Sequence, residues 1–148
     1  NAIFKGCTSL VDAPVIPDSV LDMSEAFLGD SNIYTASAFP ESVEDISSAY
    51  ADCISLEKAA SIPASVINCD SCYSGCSNLY GELSINTNTE DCANLLSNAV
   101  TSGKTLKLKG KSGRLFEIQQ DSGSRYVTIK DTEKAEKNAK KLERQNNQ

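Results

Sequence analysis

Apolar residues return along this chain at a fixed distance of 23 residues. Aligning Phe4 with Phe27, Tyr50 and Tyr73 places Leu10 over Ile33, Leu56 and Leu79, and Pro17 over Pro40 and Pro63, with no gap. The same register stacks Ile16, Phe39, Ile62 and Ile85, then Val20, Val43 and Val66, then Met23, Ile46, Cys69 and Cys92. A fixed period of roughly 20 to 50 residues marks a repeat architecture, in which one unit buries its apolar side only against its neighbours. Within a unit the apolar places fall at every third residue, Leu10, Ala13 and Ile16, and then at Val20, Met23 and Ala26. That spacing matches neither strict strand alternation nor a sustained helical period. It predicts short extended segments near residues 10–16 and their equivalents. The recurrent proline starts a corner, because proline argues against a long regular strand through that point.

The pattern changes after Ile85. Thr89 to Ala99 reads as a short helix, with Thr89 as N-cap and two acids in its first turn. Residues 105–109, 115–118 and 126–129 alternate apolar and polar between Gly- and Ser-rich turns, and predict three strands. From Thr132 to Arg144 the chain is charged, with Glu133–Lys137 and Glu136–Lys140 at helix-supporting spacing and an apolar stripe of only Ala135, Ala139 and Leu142. This predicts a solvated helix fraying into a disordered end. The expected fold is mainly β, a short solenoid of about four coils with a helix-plus-β cap and a charged tail. The expected divisions are a repeat array over 1–99 (units starting at 4, 27, 50 and 73, the last degenerate), a β-rich cap over 100–130, and a charged helical or disordered tail over 131–148.

Phe4-Lys5-Gly6-Cys7-Thr8-Ser9-Leu10 and Tyr73-Ser74-Gly75-Cys76-Ser77-Asn78-Leu79, followed by Ile-Pro-x-Ser-Val and closing in Ala-Phe, resemble the BspA-like leucine-rich repeat. The likeness covers about residues 1 to 86. Relative to the commonest form of that unit, Leu10 to Pro17 is one residue longer and Val20 to Phe27 one shorter. The resemblance implies a secreted or cell-surface protein with an adhesive or other protein-binding role. The chain opens in mid-repeat at Asn1, so further repeats are expected on its N-terminal side.

Charge divides the chain. Residues 1–99 hold 14 acids against Lys5 and Lys58, while residues 100–148 hold 12 lysines and arginines against 6 acids. An acidic repeat region is a poor nucleic-acid partner, since affinity for phosphate depends on Lys and Arg. No apolar run is long enough to cross a membrane, so membrane insertion is not expected.

Candidate chemistry begins with Cys69, Cys72, Cys76 and Cys92, whose four thiols have the composition of a zinc or iron–sulfur site. The repeat gives the simpler reading. Each cysteine stands in a column otherwise filled by Met, Ile, Ala or another Cys, and behaves as a small buried hydrophobe. Cys69 and Cys92 share one column on successive units, which makes a disulfide between them conceivable. Asp30 interrupts a cysteine column; its functional reading is an ion ligand, and its plainer one is a side chain that bonds backbone N–H groups in the turn or swings out to water. With no His, no Trp and no phosphate loop, no catalytic residue, metal or cofactor is assigned.

Specificity is expected at the variable columns, Val11, Tyr34, Glu57 and Tyr80 in one and Asp12, Thr35, Lys58 and Gly81 in the next, with Tyr34 and Tyr80 as anchors. These observations lead to a non-enzymatic module of a larger extracellular or cell-surface protein that presents an acidic, variable face to a protein or glycan. The alternative is a structural or receptor-binding component of a phage or viral particle. An enzyme built on metal at the cysteines comes third.

Overall fold

A computed structural model describes residues 14–147. Its regular elements all lie in the second half: β1 (Gly81–Ser84), β2 (Leu106–Lys109), α1 (Leu115–Ser122), β3 (Val127–Ile129) and α2 (Thr132–Asn146). The strands form one open parallel sheet in the order β1-β2-β3. The expectation of a mainly β, four-coil leucine-rich-repeat solenoid is therefore corrected: the regular structure is mixed, a small parallel sheet with two helices. Ahead of β1, pairing is confined to single parallel bridges, Asp22 with Asp45, Asp45 with Asn68, Thr35 with Lys58, and Ile62 with Ile85 on β1's own chain continuation. The recurrent prolines and the third-residue spacing leave extended pieces too short to become strands there.

What the repeat builds instead is a ladder of turns. The N–H groups of Glu25, Phe27 and Gly29 donate to the carbonyls of Ser47, Ala49 and Ala51 at 2.9, 2.7 and 2.8 Å. Between them Ala26, Leu28 and Asp30 donate three residues back along their own segment. Ser48, Tyr50 and Asp52 repeat the pattern toward Asp70, Cys72 and Ser74, and Ser71, Tyr73 and Gly75 toward Ala93, Leu95 and Ser97. Every backbone donor of these segments has an acceptor, as burial demands. The turns require left-handed backbone at two places per unit, Glu25, Ser48, Ser71 and Asn94 in one column and Gly29, Asp52, Gly75 and Asn98 in the other. Gly75 also leaves room for the Asp52 side chain, which a Cβ at that place would push aside.

The same ladder overturns the helix expected over 89–99. Carbonyls of Asp91, Ala93, Leu95 and Ser97 are already accepting from the preceding segment, and Asn94 and Asn98 sit at φ 61° and 59°. A helix needs those carbonyls for its own i+4 donors. The strand expected over 115–118 is likewise α1, whose Leu115, Ile118 and Ser122 are buried at helical spacing and which stops at Gly123 in the left-handed conformation. Segments 105–109 and 126–129 do supply β2 and β3, paired in parallel.

Inside the turns runs a column of rings. Phe27, Tyr50 and Tyr73 are fully buried and stacked, with centroids 4.9 and 5.6 Å apart and planes within 12° and 8°. Each tyrosine hydroxyl crosses the core to the opposite wall: Tyr50 Oη accepts from Ser37 N at 2.9 Å, and Tyr73 Oη both accepts from Ala60 N and donates to Ala60 O at 2.9 Å. The polar ends are thus satisfied without water. Ile33, Leu56, Leu79 and Leu83 fill the space between.

The charged tail is docked, contrary to the solvated helix expected. Asp131 caps α2 by accepting from Lys134 N at 3.0 Å, and Ala135 and Leu142 are buried. Gly113 admits the helix, because a Cβ there would lie 2.8 Å from both Asn138 O and Leu142 Cβ. No helix among the described residues is long and apolar enough to cross a membrane.

Leu56 is fully buried at the centre of the repeated part. Changing Leu56→Ala should cost about 2–5 kcal/mol in chemical denaturation; a loss under about 1 kcal/mol would show that this column is not core.

Candidate functional site

The described members of the variable columns, exposed or half-buried, lie on one side of the molecule that runs into β1 at Gly81. Its backbone is rigid. Glu57 N and Lys58 N donate to Tyr34 O at 2.8 and 3.1 Å, Ala36 N to Lys58 O at 2.9 Å, Tyr80 N to Glu57 O at 3.2 Å, and Gly81 N to Thr105 O at 3.0 Å. Ile33, Leu56 and Leu79, one residue before the first column, are buried, so the next side chains are turned outward by the local alternation.

The anchors differ in setting. Tyr34 is 52 % exposed. Tyr80 is half-buried and lies between two ammonium groups, Lys58 Nζ at 5.3 Å and Lys104 Nζ at 4.5 Å from its ring centroid. Both distances fall within cation–π range. Glu57 is half-buried and Lys58 exposed beside it. Val11 and Asp12 lie outside the described residues.

Farther along this face Glu82 bridges two lysines of the neighbouring strand edges, Lys130 at 2.7 Å and Lys109 at 3.0 Å. The Lys130 and Lys109 contacts hold its carboxyl down at about 2. With Lys58, Lys104, Lys107, Lys109 and Lys130 set against Glu57 and Glu82, the face is cationic, and the acidic face expected from the first 99 residues is corrected. Among the described residues several other acids of the repeats have local work in the turns. Asp22 Oδ1 and Asp45 Oδ1 accept from the backbone N–H of Ser24 and Ser47 at 2.9 Å, closing the turns.

Lys104, Lys107 and the Glu82 cluster were not among the residues singled out from sequence. Alternation in Leu106-Lys107-Leu108-Lys109 does turn the lysines outward. Their place beside Tyr80 needed the pairing of Gly81 with Leu106, which is 25 residues rather than 23 and is closed by Leu106 with Val127 at 21.

The cysteines are internal. Cys53, Cys69, Cys72, Cys76 and Cys92 are buried free thiols. Cys53 and Cys76 donate to the carbonyls of Phe27 and Tyr50 at 3.1 and 3.0 Å, one ring column back. Burial pushes the Cys53 and Cys69 thiols up to about 12 and those of Cys72 and Cys76 well above their usual range. The disulfide considered for Cys69 and Cys92 is not made. Both are buried free thiols. Among the described residues no three His, Cys, Asp or Glu side chains converge on a metal position.

Asp30 occupies the cysteine column and is 1 % exposed. Its Oδ1 accepts from Asn32 N at 3.0 Å, as the sequence suggested, while Oδ2 is buried without a partner. Burial raises its carboxyl above the ordinary range, only partly offset by the Asn32 N–H.

No family model, curated protein or solved structure matches the chain.

Two outcomes follow from the buried groups. At pH 8 a thiol reagent such as Ellman's should leave the five described cysteines unmodified in the folded protein and label them on denaturation; rapid labelling of Cys72 or Cys76 would contradict their burial. For Asp30, a raised folded pKa means its contribution to stability is complete below the unfolded pKa and is lost as pH rises through the folded one. Asp30→Asn should therefore be more stable than the parent at pH 7, with the gap closing toward pH 3 in paired urea titrations. A gap that does not depend on pH would mean that the carboxyl is not protonated on folding.

Proposed function

We propose that the protein is a non-enzymatic binding module of an extracellular or cell-surface protein, and that it takes a protein or glycan partner on the face carrying Tyr34, Glu57, Lys58 and Tyr80. One observation carries this reading: Lys58 and Lys104 hold ammonium groups over the Tyr80 ring, in the outward column that also carries the exposed Tyr34, on backbone joined by inter-segment hydrogen bonds. A rigid aromatic surface loses little conformational entropy when a partner covers it. Aromatic groups flanked by charge are the residues on which interfaces concentrate their energy. The likeness of the 23-residue unit to BspA-like repeats supports the same reading and the same location. Burial of the cysteines, the strongest nucleophiles of the described chain, supports a binding role over catalysis.

The test is a printed glycan array together with a panel of purified extracellular proteins, followed by the double variant Tyr34→Ala/Tyr80→Ala against whatever binds. Exposed and half-exposed positions should leave stability within about 1 kcal/mol. Affinity should fall by roughly thirtyfold or more, the effect of losing a hot spot of about 2 kcal/mol. Unchanged affinity in a folded variant would remove this face from the interaction.

A further inference from the structure

The three parallel strands finish side by side, β1 at Ser84, β2 at Lys109 and β3 at Ile129. From β1 the chain enters Asn86, from β2 Gly110 and Lys111, and from β3 Lys130 and the cap of α2. Between these exits, at the carboxyl ends of the strands, lies a crevice. Here the crevice is a cavity of about 390 Å³ bounded by Ser84, Asn86, Lys109, Lys111, Lys130 and Lys134, with Leu115 and Ala135 supplying apolar wall.

Its polar lining is dominated by donors. Asn86 commits its side-chain oxygen to Lys111 N at 2.9 Å, which leaves its amide NH2 as the group it can offer a ligand. Ser84 adds a hydroxyl. Four ammonium groups border the cavity with one carboxylate, Asp131, whose Oδ1 accepts from Lys134 N, while Glu82 beside it is shared by Lys109 and Lys130. Among the described residues Lys111 and Lys134 have no carboxylate within ion-pair distance. The first turn of α2, with the positive end of its dipole, borders the same space. Two cations without an ion-pair partner, two shared ones and neutral donors around a cavity in the size range of small-ligand sites call for a compact oxyanion.

We propose that this cleft binds a sugar-sized ligand bearing a sulfate or phosphate group, held chiefly by Lys111 and Lys134, with Lys109, Lys130 and Asn86 completing the contacts. The cleft shares Lys109 and Lys130 with the far end of the tyrosine-bearing side, but its chief lysines, Lys111 and Lys134, lie apart from Tyr34 and Tyr80: Tyr80 precedes β1, whereas the cleft opens beyond its far end. The inference does not depend on the reading of that face.

Sulfate and phosphate present the same tetrahedral oxygens from different sources, an anionic glycan chain or a phosphorylated small molecule, and the probes separate them. Isothermal titration of the whole chain with a sulfated heparin disaccharide and with glucose 6-phosphate, each beside its uncharged parent sugar, reads the binding directly. At least one charged probe should bind, weaken on raising salt to about 0.15 M, and lose roughly tenfold or more in affinity in Lys111→Gln/Lys134→Gln. The control Lys107→Gln/Lys140→Gln removes the same charge from exposed positions outside the cleft and should change affinity less than about twofold. Binding of the disaccharide alone assigns the site to a glycan, and binding of the sugar phosphate alone to a small metabolite. Loss of binding by both double variants alike, or no binding of either charged probe to the parent, would overturn the proposal. Tyr34→Ala/Tyr80→Ala should bind these probes as the parent does, so failure of the partner face and failure of the cleft are read separately.

Discussion

Backbone hydrogen bonds between segments 22 residues apart are the constraint on which the repeated part depends. In each turn segment, alternate N–H groups reach across to the next unit while those between them close local turns. Both sets must be satisfied, because the segments are buried against one another and water cannot substitute. The period is thereby held at 23. Inserting a residue would shift every cross-segment donor off its acceptor and expose a row of unpaired groups. The two left-handed positions in each unit are part of the same requirement, since only that conformation aims successive N–H groups alternately along and across the chain. Gly29, Gly75, Asn94, Asn98 and Asp52 suit it by residue type, while Glu25, Ser48 and Ser71 accept it because the ladder around them leaves no other course.

From that ladder the core follows. Stacking in register brings like residues into columns, so Phe27, Tyr50 and Tyr73 form one stack and Cys53 and Cys76 lean on the carbonyls of the ring residues one unit back. Tyrosine in place of phenylalanine ties the stack to the opposite wall through Ser37 and Ala60, which braces the two sides of the core. Asp30 is the exception in its column. A carboxyl with one oxygen unpartnered stands where the following units place a thiol, and the fold tolerates it by disfavouring the charge.

Charge is sorted by side as well as by half of the chain. Acids such as Asp22 and Asp45 sit in the turn columns, where their oxygens accept backbone N–H groups. Among the described residues lysines gather on the outer sheet face and around its carboxyl edge, opposed there by Glu57, Glu82 and Asp131. The cationic side and the cleft arise together, because β2 carries Lys107 and Lys109 and Lys130 follows β3 directly.

The sequence by itself determined the period, the columns and which residues are buried in them, since a repeat of 23 can only place Leu56 with Leu79 and Tyr50 with Tyr73. It also determined that Tyr34 and Tyr80 share an outward column, by the same arithmetic. Class and partners were another matter. Whether a segment such as 89–99 becomes helix or stacked turn depends on carbonyls being claimed by residues about 22 positions earlier, and local propensity carries no record of that claim. Likewise 115–118 alternates like a strand, yet it folds as helix α1, whose buried Leu115, Ile118 and Ser122 follow helical spacing and pack beside β3. The lysines near Tyr80 and those of the cleft were visible as residues but not as neighbours. Their registers, 25 and then 21, leave the period, and only the paired sheet brings them together.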